Sequence, residues 1–353
     1  MKLVIVGATG NVGTSLLAAL RRETAVEEIV GIARRPAGID EPRTRFVTAD
    51  IVHDDLDAHF RGADAVVHLA WLIQPSRDDR RLHAVNVDGS RRVFEAAVRA
   101  GVKALVYASS IGVYAPGPKD RGVDESWPAT GIDTLFYSRH KAETERMLDV
   151  LEREHPAIRV VRLRPGLIFK RAAATGIRRL FAGPFLPTPL LRKGLIPVVP
   201  DVERLRVQAV HSLDVGEAYR LAVTREVRGA FNIAAEPVVD PEFLADVLGA
   251  RRVPVQRRVL RGLADLTWRA RLQPSPAGWI DLALAVPLMD TTRARTELGW
   301  HPARSATEAF EELLAGLREG ADYPTPPLSR AASGPLRTRE ILTGVGLRGG
   351  TRP

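Results

Sequence analysis

The chain has 353 residues, with 51 Lys and Arg against 42 Asp and Glu, a net charge of +9 and no cysteine. Its apolar and charged fractions, 45% and 26%, match ordinary globular proteins and exclude a wholly disordered chain. The absence of cysteine excludes disulfide scaffolds, thiolate metal sites and cysteine nucleophiles. Of the basic residues 45 are arginine and six lysine, spread along the chain in pairs such as Arg91-Arg92 and Arg257-Arg258. No long basic run with interleaved aromatics occurs, so the sequence predicts no nucleic-acid partner. No basic-then-apolar leader precedes the first strand-like run, and no apolar stretch reaches the ~20 residues a bilayer span needs. The expectation is a soluble, cytoplasmic protein with a small-molecule substrate and no membrane partner.

The first 165 residues alternate strand and helix patterns. Strands are predicted at 2–6, 28–33, 45–48, 65–69, 104–108 and 158–163. Helices are predicted at 11–22, 82–100 and 137–154. Strands separated by helices of this length predict an α/β fold, a Rossmann-type doubly wound parallel sheet. After Pro165 the pattern loosens. A strand at 206–210, a helix at 215–224 and a strand at 230–233 return to the core. The expected division is a dinucleotide-binding core at 1–164 with 203–234 returning to it, and a smaller, discontinuous substrate lobe at 165–202 and 235–320. A final amphipathic helix lies at 307–320. Residues 321–353, rich in Pro, Gly, Ser, Thr and Arg, read as a disordered tail.

The first strand runs into Gly7-Ala8-Thr9-Gly10-Asn11-Val12-Gly13, a G-x-x-G-x-x-G loop at a strand-to-helix junction. Gly7 allows a tight turn, Gly10 lets backbone approach a pyrophosphate, and Gly13 lets helix pack on strand. The helix N-terminus then offers free N–H groups to phosphate. The second strand ends in Ala33-Arg34-Arg35. No acid stands there to accept bonds from an adenosine ribose, and two arginines suit a 2′-phosphate. NADP(H) is therefore favoured over NAD(H). Asp50 and Ile51, after the third strand, could flank the adenine; Asp50 could equally cap its own turn.

Tyr137 and Lys141 stand four apart at the start of a helix and share one face. A phenol has a pKa near ~10, and a neighbouring ammonium lowers it. Such a tyrosine can exchange a proton with an alcohol or carbonyl oxygen while hydride moves. Ser109 and Ser110 end the fifth strand, at the sheet edge where ligands of such folds bind. The eight histidines are scattered, with no pair at ligand spacing, so no metal site is expected.

With these motifs in order, the sequence resembles the extended short-chain dehydrogenase/reductase family, the NAD-dependent epimerase/dehydratase group, over roughly residues 1–320. The glycine loop, Val67-His68-Leu69-Ala70, Asn86-Val87-Asp88-Gly89, Ser109-Ser110 through Tyr114, Tyr137 to Lys141, His211 through Val215 and Gly299-Trp300-His301-Pro302 carry the resemblance. It implies that Tyr137 is the acid/base, that Lys141 holds the nicotinamide ribose and tunes Tyr137, and that Ser110 orients the substrate oxygen. It also implies that backbone at Leu69 and Ala70 passes the cofactor, and that helices 82–100 and 137–154 could pair in a homodimer. His68 reads as a packed histidine, Asn86 as a bridge between helix and strand, and His140 as solvated. His211 and Asp214 read as caps of the following helix.

Two positions depart from the sugar-nucleotide epimerases of the family. Pro165 stands where those carry an Asn, and Lys170 where a Gly is usual. The Leu163-Arg164-Pro165 form looks more like carbonyl reductases and hydroxysteroid-type dehydrogenases. Phe181, Phe185, Leu186, Leu190, Leu191, Trp268 and Trp279 could line an apolar pocket or make the lobe's own core. The leading expectation is an NAD(P)-dependent oxidoreductase acting on a secondary alcohol or carbonyl of a small, fairly apolar molecule. The alternative is a nucleotide-sugar epimerase or dehydratase, with Arg164, Arg178, Arg192 and Arg206 available for a diphosphate. A non-catalytic NADP-sensing regulator is the third reading, and the Tyr-Lys pair argues against it.

Overall fold

The computed structural model describes residues 1–73, 77–333 and 337–342. The elements that build the core and the site, in chain order, are β1 (Lys2–Val6), α1 (Asn11–Leu20), β2 (Glu28–Ala33), β3 (Thr44–Thr48), β4 (Ala65–His68), α2 (Gly89–Arg99), β5 (Ala104–Ala108) and α3 (Phe136–Glu154). There follow β6 (Arg159–Pro165), β7 (Leu167–Phe169), α4 (Ala174–Phe181), β8 (Val207–His211), α5 (Ser212–Thr224), β9 (Gly229–Ile233) and β10 (Ala235–Val239). The last are α6 (Arg257–Arg269), α7 (Gly278–Ala285), α8 (Ala306–Glu319) and α9 (Thr338–Leu342).

Seven strands form one parallel sheet in the order β9-β6-β5-β4-β1-β2-β3. The fold is the α/β, Rossmann-type doubly wound sheet that the alternating pattern predicts. The central strands β1, β4 and β5 are nearly continuous runs of apolar residues because both faces are covered, whereas the edge strand β3 has no fully buried residue. Leu3 and Ile5 of β1 face Leu16, Leu17 and Leu20 of α1 and Val215 and Tyr219 of α5. Val4 and Val6 face the other way, toward Phe94 of α2 and Leu148 and Leu151 of α3. Chain order reverses between β1 and β4, so the crevice at their carboxyl ends is where ligands of such sheets bind.

A second sheet of three strands, β10-β8-β7, packs on α8 through Phe169, Ala209, Val239, Leu313 and Leu317. Residues 203–234 therefore divide: β9 extends the main sheet, and β8 joins the small one. The predicted helix 82–100 is also subdivided. A short helix at Asp79–His83 leads into a π-helical turn at Ala84–Asp88 before α2. Within that turn Asn86 Oδ1 accepts from Leu72 N at 2.7 Å and Nδ2 donates to Leu72 O at 3.1 Å, tying the helix to the segment after β4. Single π-turns of this kind often mark functional positions.

The tail differs from its composition. Residues 321–333 lie against the body, with Thr325 and Leu328 buried. Aperiodic Pro, Ser and Thr carry no helix or strand signal, but their carbonyls accept from buried side chains. Thr175 Oγ1 donates to Ala321 O at 3.0 Å and Arg179 to Pro327 O at 2.8 Å. Further on, Arg178 pairs with Glu340 of α9 at 2.6 Å. The remainder of the expected disordered tail, 334–336 and 343–353, falls outside the described residues. Among the described residues no helix is long and apolar enough to cross a membrane.

Candidate active site

The glycine loop joins β1 to α1. Gly7 has φ +94°, and a Cβ there would lie 2.7 Å from the Ala70 nitrogen. A Cβ on Gly13 would lie 2.5 Å from the carbonyl oxygens of Gly7 and Ala8. Both positions demand glycine for backbone reasons. Gly10 does not: a Cβ there would meet only the Gly7 carbonyl oxygen, at 3.4 Å. Its bare side belongs to a groove lined by Gly7, Thr9, Gly10, Arg34, Arg35, Asp50, Ile51, Leu69 and Ala70. Nine of the expected cofactor residues thus share one surface. Asn11, Val12 and Gly13 do not line it; they form the first turn of α1, with Val12 packed into the core beneath.

Among the further residues lining the groove, Trp71 and two tail prolines are ones that sequence reasoning missed. Trp71 follows Ala70, and Pro326 and Pro327 come from the tail. Nothing in the composition of the tail marks it as a wall of this groove. Arg34 and Arg35 are exposed, and neither guanidinium has a hydrogen bond or ion pair among the described residues. Asp50 spends one side-chain oxygen on its own turn, accepting from Val52 N at 2.9 Å. Lys170 sits directly behind the loop. Its Nζ donates to Thr14 Oγ1 at 2.7 Å, Asn11 O at 2.9 Å and Ser15 Oγ at 3.1 Å, and burial pulls its pKa down to about 8.

A dinucleotide fits these residues. The glycine cradle leaves room at Gly10, two unpaired cations flank the end of β2, and two buried polar atoms lack partners. These are Asn11 Oδ1, in the first turn of α1, and Trp71 Nε1, in the groove wall.

Ser110 follows β5, and Tyr137 and Lys141 lie one turn apart at the start of α3. Ser110 Oγ accepts from Gly112 N at 3.0 Å. Tyr137 crosses the same loop so closely that a Cβ on Gly112 would lie 2.9 Å from its ring. Burial pushes the Tyr137 phenol up to about 12, with a hydrogen bond to Ser110 pulling the other way. The lowering expected from Lys141 is not found. Lys141 Nζ donates to Ala108 O at 2.5 Å and to Tyr107 Oη at 3.3 Å, and lies 3.5 Å from the centre of the Trp71 ring. Its charge is spent there, 6.0 Å from the Tyr137 ring centre. Burial also drives the ammonium well below the ordinary lysine value, and Glu145 only partly restores it.

The neighbouring polar residues are structural. Ser109 donates to Glu145, and Glu145 forms a two-point pair with Arg164, Nε at 2.9 Å and Nη2 at 2.5 Å. Arg164 Nη1 adds the Tyr114 hydroxyl at 3.1 Å and Glu125 O at 2.9 Å. Arg164 is therefore locked in the core and unavailable to a diphosphate. Arg178 is bound to Gly183 O and Glu340, and Arg206 to Lys119 O. Of the four arginines considered for that role, only Arg192 is left with no such contact among the described residues. His68 bonds Ser90 Oγ at 2.9 Å, and burial, with Lys141 nearby, lowers its pKa to about 3. His140 is buried rather than solvated. It packs on His83 and Phe136, and burial lowers it to about 4. His211 caps α5 through Leu213 N at 3.2 Å, whereas Asp214 reaches forward to Arg304 N at 3.0 Å.

Beyond Tyr137 lies a chamber of about 640 Å³, in the range of small-molecule pockets. Its walls are almost entirely apolar: Ile111 beside Ser110, Leu167, Phe169, Ile177, Phe181, Leu260, Trp279 and Leu282 among them. Trp279 stands between chamber and phenol, its ring centre 5.2 Å from that of Tyr137. Of the seven apolar lobe residues named from sequence, Phe181 and Trp279 line the chamber. Phe185 and Leu190 are exposed, and Trp268 lies under the Arg77 guanidinium at 4.2 Å. Among the described residues no group of three or more His, Asp or Glu could hold a metal ion.

Comparison with known proteins agrees with the fold. A model of the NAD dependent epimerase/dehydratase family matches residues 3–234. An uncharacterised protein of Mycobacterium tuberculosis is 28% identical over 321 residues, 90% of this chain and 30% of that protein. The chain thus spans less than a third of that relative's length. A 3 beta-hydroxysteroid dehydrogenase/Delta 5-->4-isomerase of Mycobacterium tuberculosis is 26% identical over 343 residues, covering 89% of each chain. Among solved structures, MoeE5 in complex with UDP-glucuronic acid and NAD aligns with a TM-score of 0.66 at 20% identity, covering 91% of this chain and all of that one.

Proposed function

The chain belongs to the NAD dependent epimerase/dehydratase family, and from that premise we propose that it is an oxidoreductase interconverting a secondary alcohol and a carbonyl on a small, apolar molecule. NADP(H) is the proposed cofactor. The observation that carries the substrate class is the apolar chamber whose inner wall, Ile111 and Trp279, abuts Ser110 and Tyr137. The relative named for a hydroxysteroid dehydrogenase supports the same class.

The bound nicotinamide supplies or accepts hydride. The chain's own residues do the rest. Ser110 holds the phenol of Tyr137 and orients the substrate oxygen. Tyr137, protonated at neutral pH, donates its proton to the carbonyl oxygen as the alcohol forms, and takes it back in the reverse direction. The apolar chamber excludes water and admits few polar groups. Lys141 braces this corner of the site through Ala108 O and the Trp71 ring.

A nucleotide-sugar epimerase would need cations and hydrogen-bond donors facing its substrate. Arg164, Arg178 and Arg206 are each committed to protein oxygens instead. Tryptophan fluorescence tests the substrate class, since Trp279 lines the chamber and Trp71 lies edge-on to Tyr137 at 6.1 Å. An apolar polycyclic ketone is expected to quench the emission saturably, and a uridine diphosphate sugar to leave it unchanged. The opposite pattern would overturn the proposed substrate.

A further inference from the structure

Helix α6, Arg257–Arg269, closes one side of the apolar chamber, yet none of its residues is buried. Its sequence is strongly two-faced. At about 100° per residue, Val259, Leu260, Leu263, Ala264, Leu266 and Thr267 share one arc, and Arg257, Arg258, Arg261 and Arg269 the other. The apolar arc is wider than the chamber needs. Leu260, Ala264 and Thr267 turn inward and line it. Val259 and Leu266 do not; they are 56% and 65% exposed. Leu263 does both, lining the chamber while 57% exposed, so it sits at the rim. Leu272, just past the helix, is 53% exposed. An apolar strip of this kind on a soluble surface is costly unless something covers it.

The charges beside the strip identify the cover. The segment from Arg257 to Arg271 carries five arginines and one acid, Asp265. Arg261 pairs with Asp281 and Arg269 with Asp265. Arg257 and Arg258 have no hydrogen bond or ion pair among the described residues. Exposed leucine and valine on one arc of a helix whose other arc carries unpaired arginine is the pattern of a helix lying in a membrane interface. A second copy of this chain would bring the same positive charge against itself, whereas an anionic bilayer would neutralise it.

We propose that α6 docks the protein onto an anionic lipid surface, with the exposed strip inserted among the acyl chains and the chamber rim facing the bilayer. The expectation of no membrane partner rests on the lack of a spanning segment and on arginine being spread along the whole chain. A helix lying flat in the interface needs no ~20-residue span. The docking surface stands apart from the proposed reaction, because Val259, Leu266, Arg257 and Arg258 touch neither Tyr137 nor the chamber.

Co-sedimentation of the full chain with vesicles tests it. The protein is expected to pellet with vesicles of phosphatidylcholine containing phosphatidylglycerol, to stay in solution with phosphatidylcholine alone, and to be released by high salt. The double variants V259D/L266D and R257E/R258E are each expected to weaken binding at least about tenfold. Both should retain wild-type affinity for the reduced cofactor, which shows that they fold. Failure to pellet with anionic vesicles would overturn the proposal, as would binding that neither variant weakens. A dimer in solution that V259D/L266D converts to monomer would also overturn it, by assigning the strip to a second copy.

Discussion

Replacing Tyr137 by phenylalanine is expected to lower turnover by about 10²–10⁴-fold and to leave cofactor affinity almost unchanged. The substitution removes one oxygen and keeps the ring that packs on Trp71 and Trp279. It therefore deletes the proton donor without opening a cavity. Steady-state kinetics and a cofactor binding titration, run on the same preparation, separate the two effects. The direction of the pKa shift adds a second reading. Burial holds the phenol up at about 12, so it is protonated across the neutral range. Carbonyl reduction needs that proton and should stay level with pH through neutrality. Alcohol oxidation needs the phenolate, whose fraction grows about tenfold per pH unit below the pKa, so oxidation should climb as pH rises. A phenylalanine variant keeping more than about a tenth of the activity would remove Tyr137 from the role of acid/base.

The second large effect is expected at Arg34 and Arg35. These arginines are exposed at the edge of the cofactor groove with no protein partner among the described residues. A charge-assisted hydrogen bond to a phosphate is worth roughly 1.5–3 kcal/mol, or about 10–150-fold in affinity. Arg34→Ala and Arg35→Ala should each weaken NADPH by about that factor and leave NADH nearly as it was, since only NADPH carries the 2′-phosphate. Isothermal titration with both cofactors checks this. Wild-type protein that binds NADH as tightly as NADPH would overturn the cofactor preference.

Much of this architecture was legible in the sequence. The βα alternation shows the doubly wound sheet because short apolar runs such as β1, β4 and β5 alternate with helical patterns, two of which stop at Gly101 and at His155-Pro156. The glycine loop is legible because Gly7 and Gly13 answer to backbone contacts that the strand-to-helix turn itself dictates. The chemistry of the corner is less so. Tyr137 and Lys141 were placed together by their spacing, but spacing says nothing of what else the ammonium will meet. The Ala108 carbonyl and the Trp71 ring take it, and burial then governs the phenol. Arg164 misled for a similar reason. An arginine at a strand end reads as a phosphate ligand until Glu145, nineteen residues earlier, is seen to hold it. The tail misled most, because the carbonyl groups through which it docks have no signature in composition.

The central claim is that hydride and proton are transferred once, to or from an apolar substrate, with net consumption of cofactor. The decisive measurement mixes the protein with NADPH and an apolar ketone and follows the reduced cofactor's absorbance alongside alcohol formed. The account expects one NADPH lost for each alcohol produced, and no such loss with Tyr137→Phe. Conversion of a uridine diphosphate sugar to its epimer with no net change in that absorbance would contradict it.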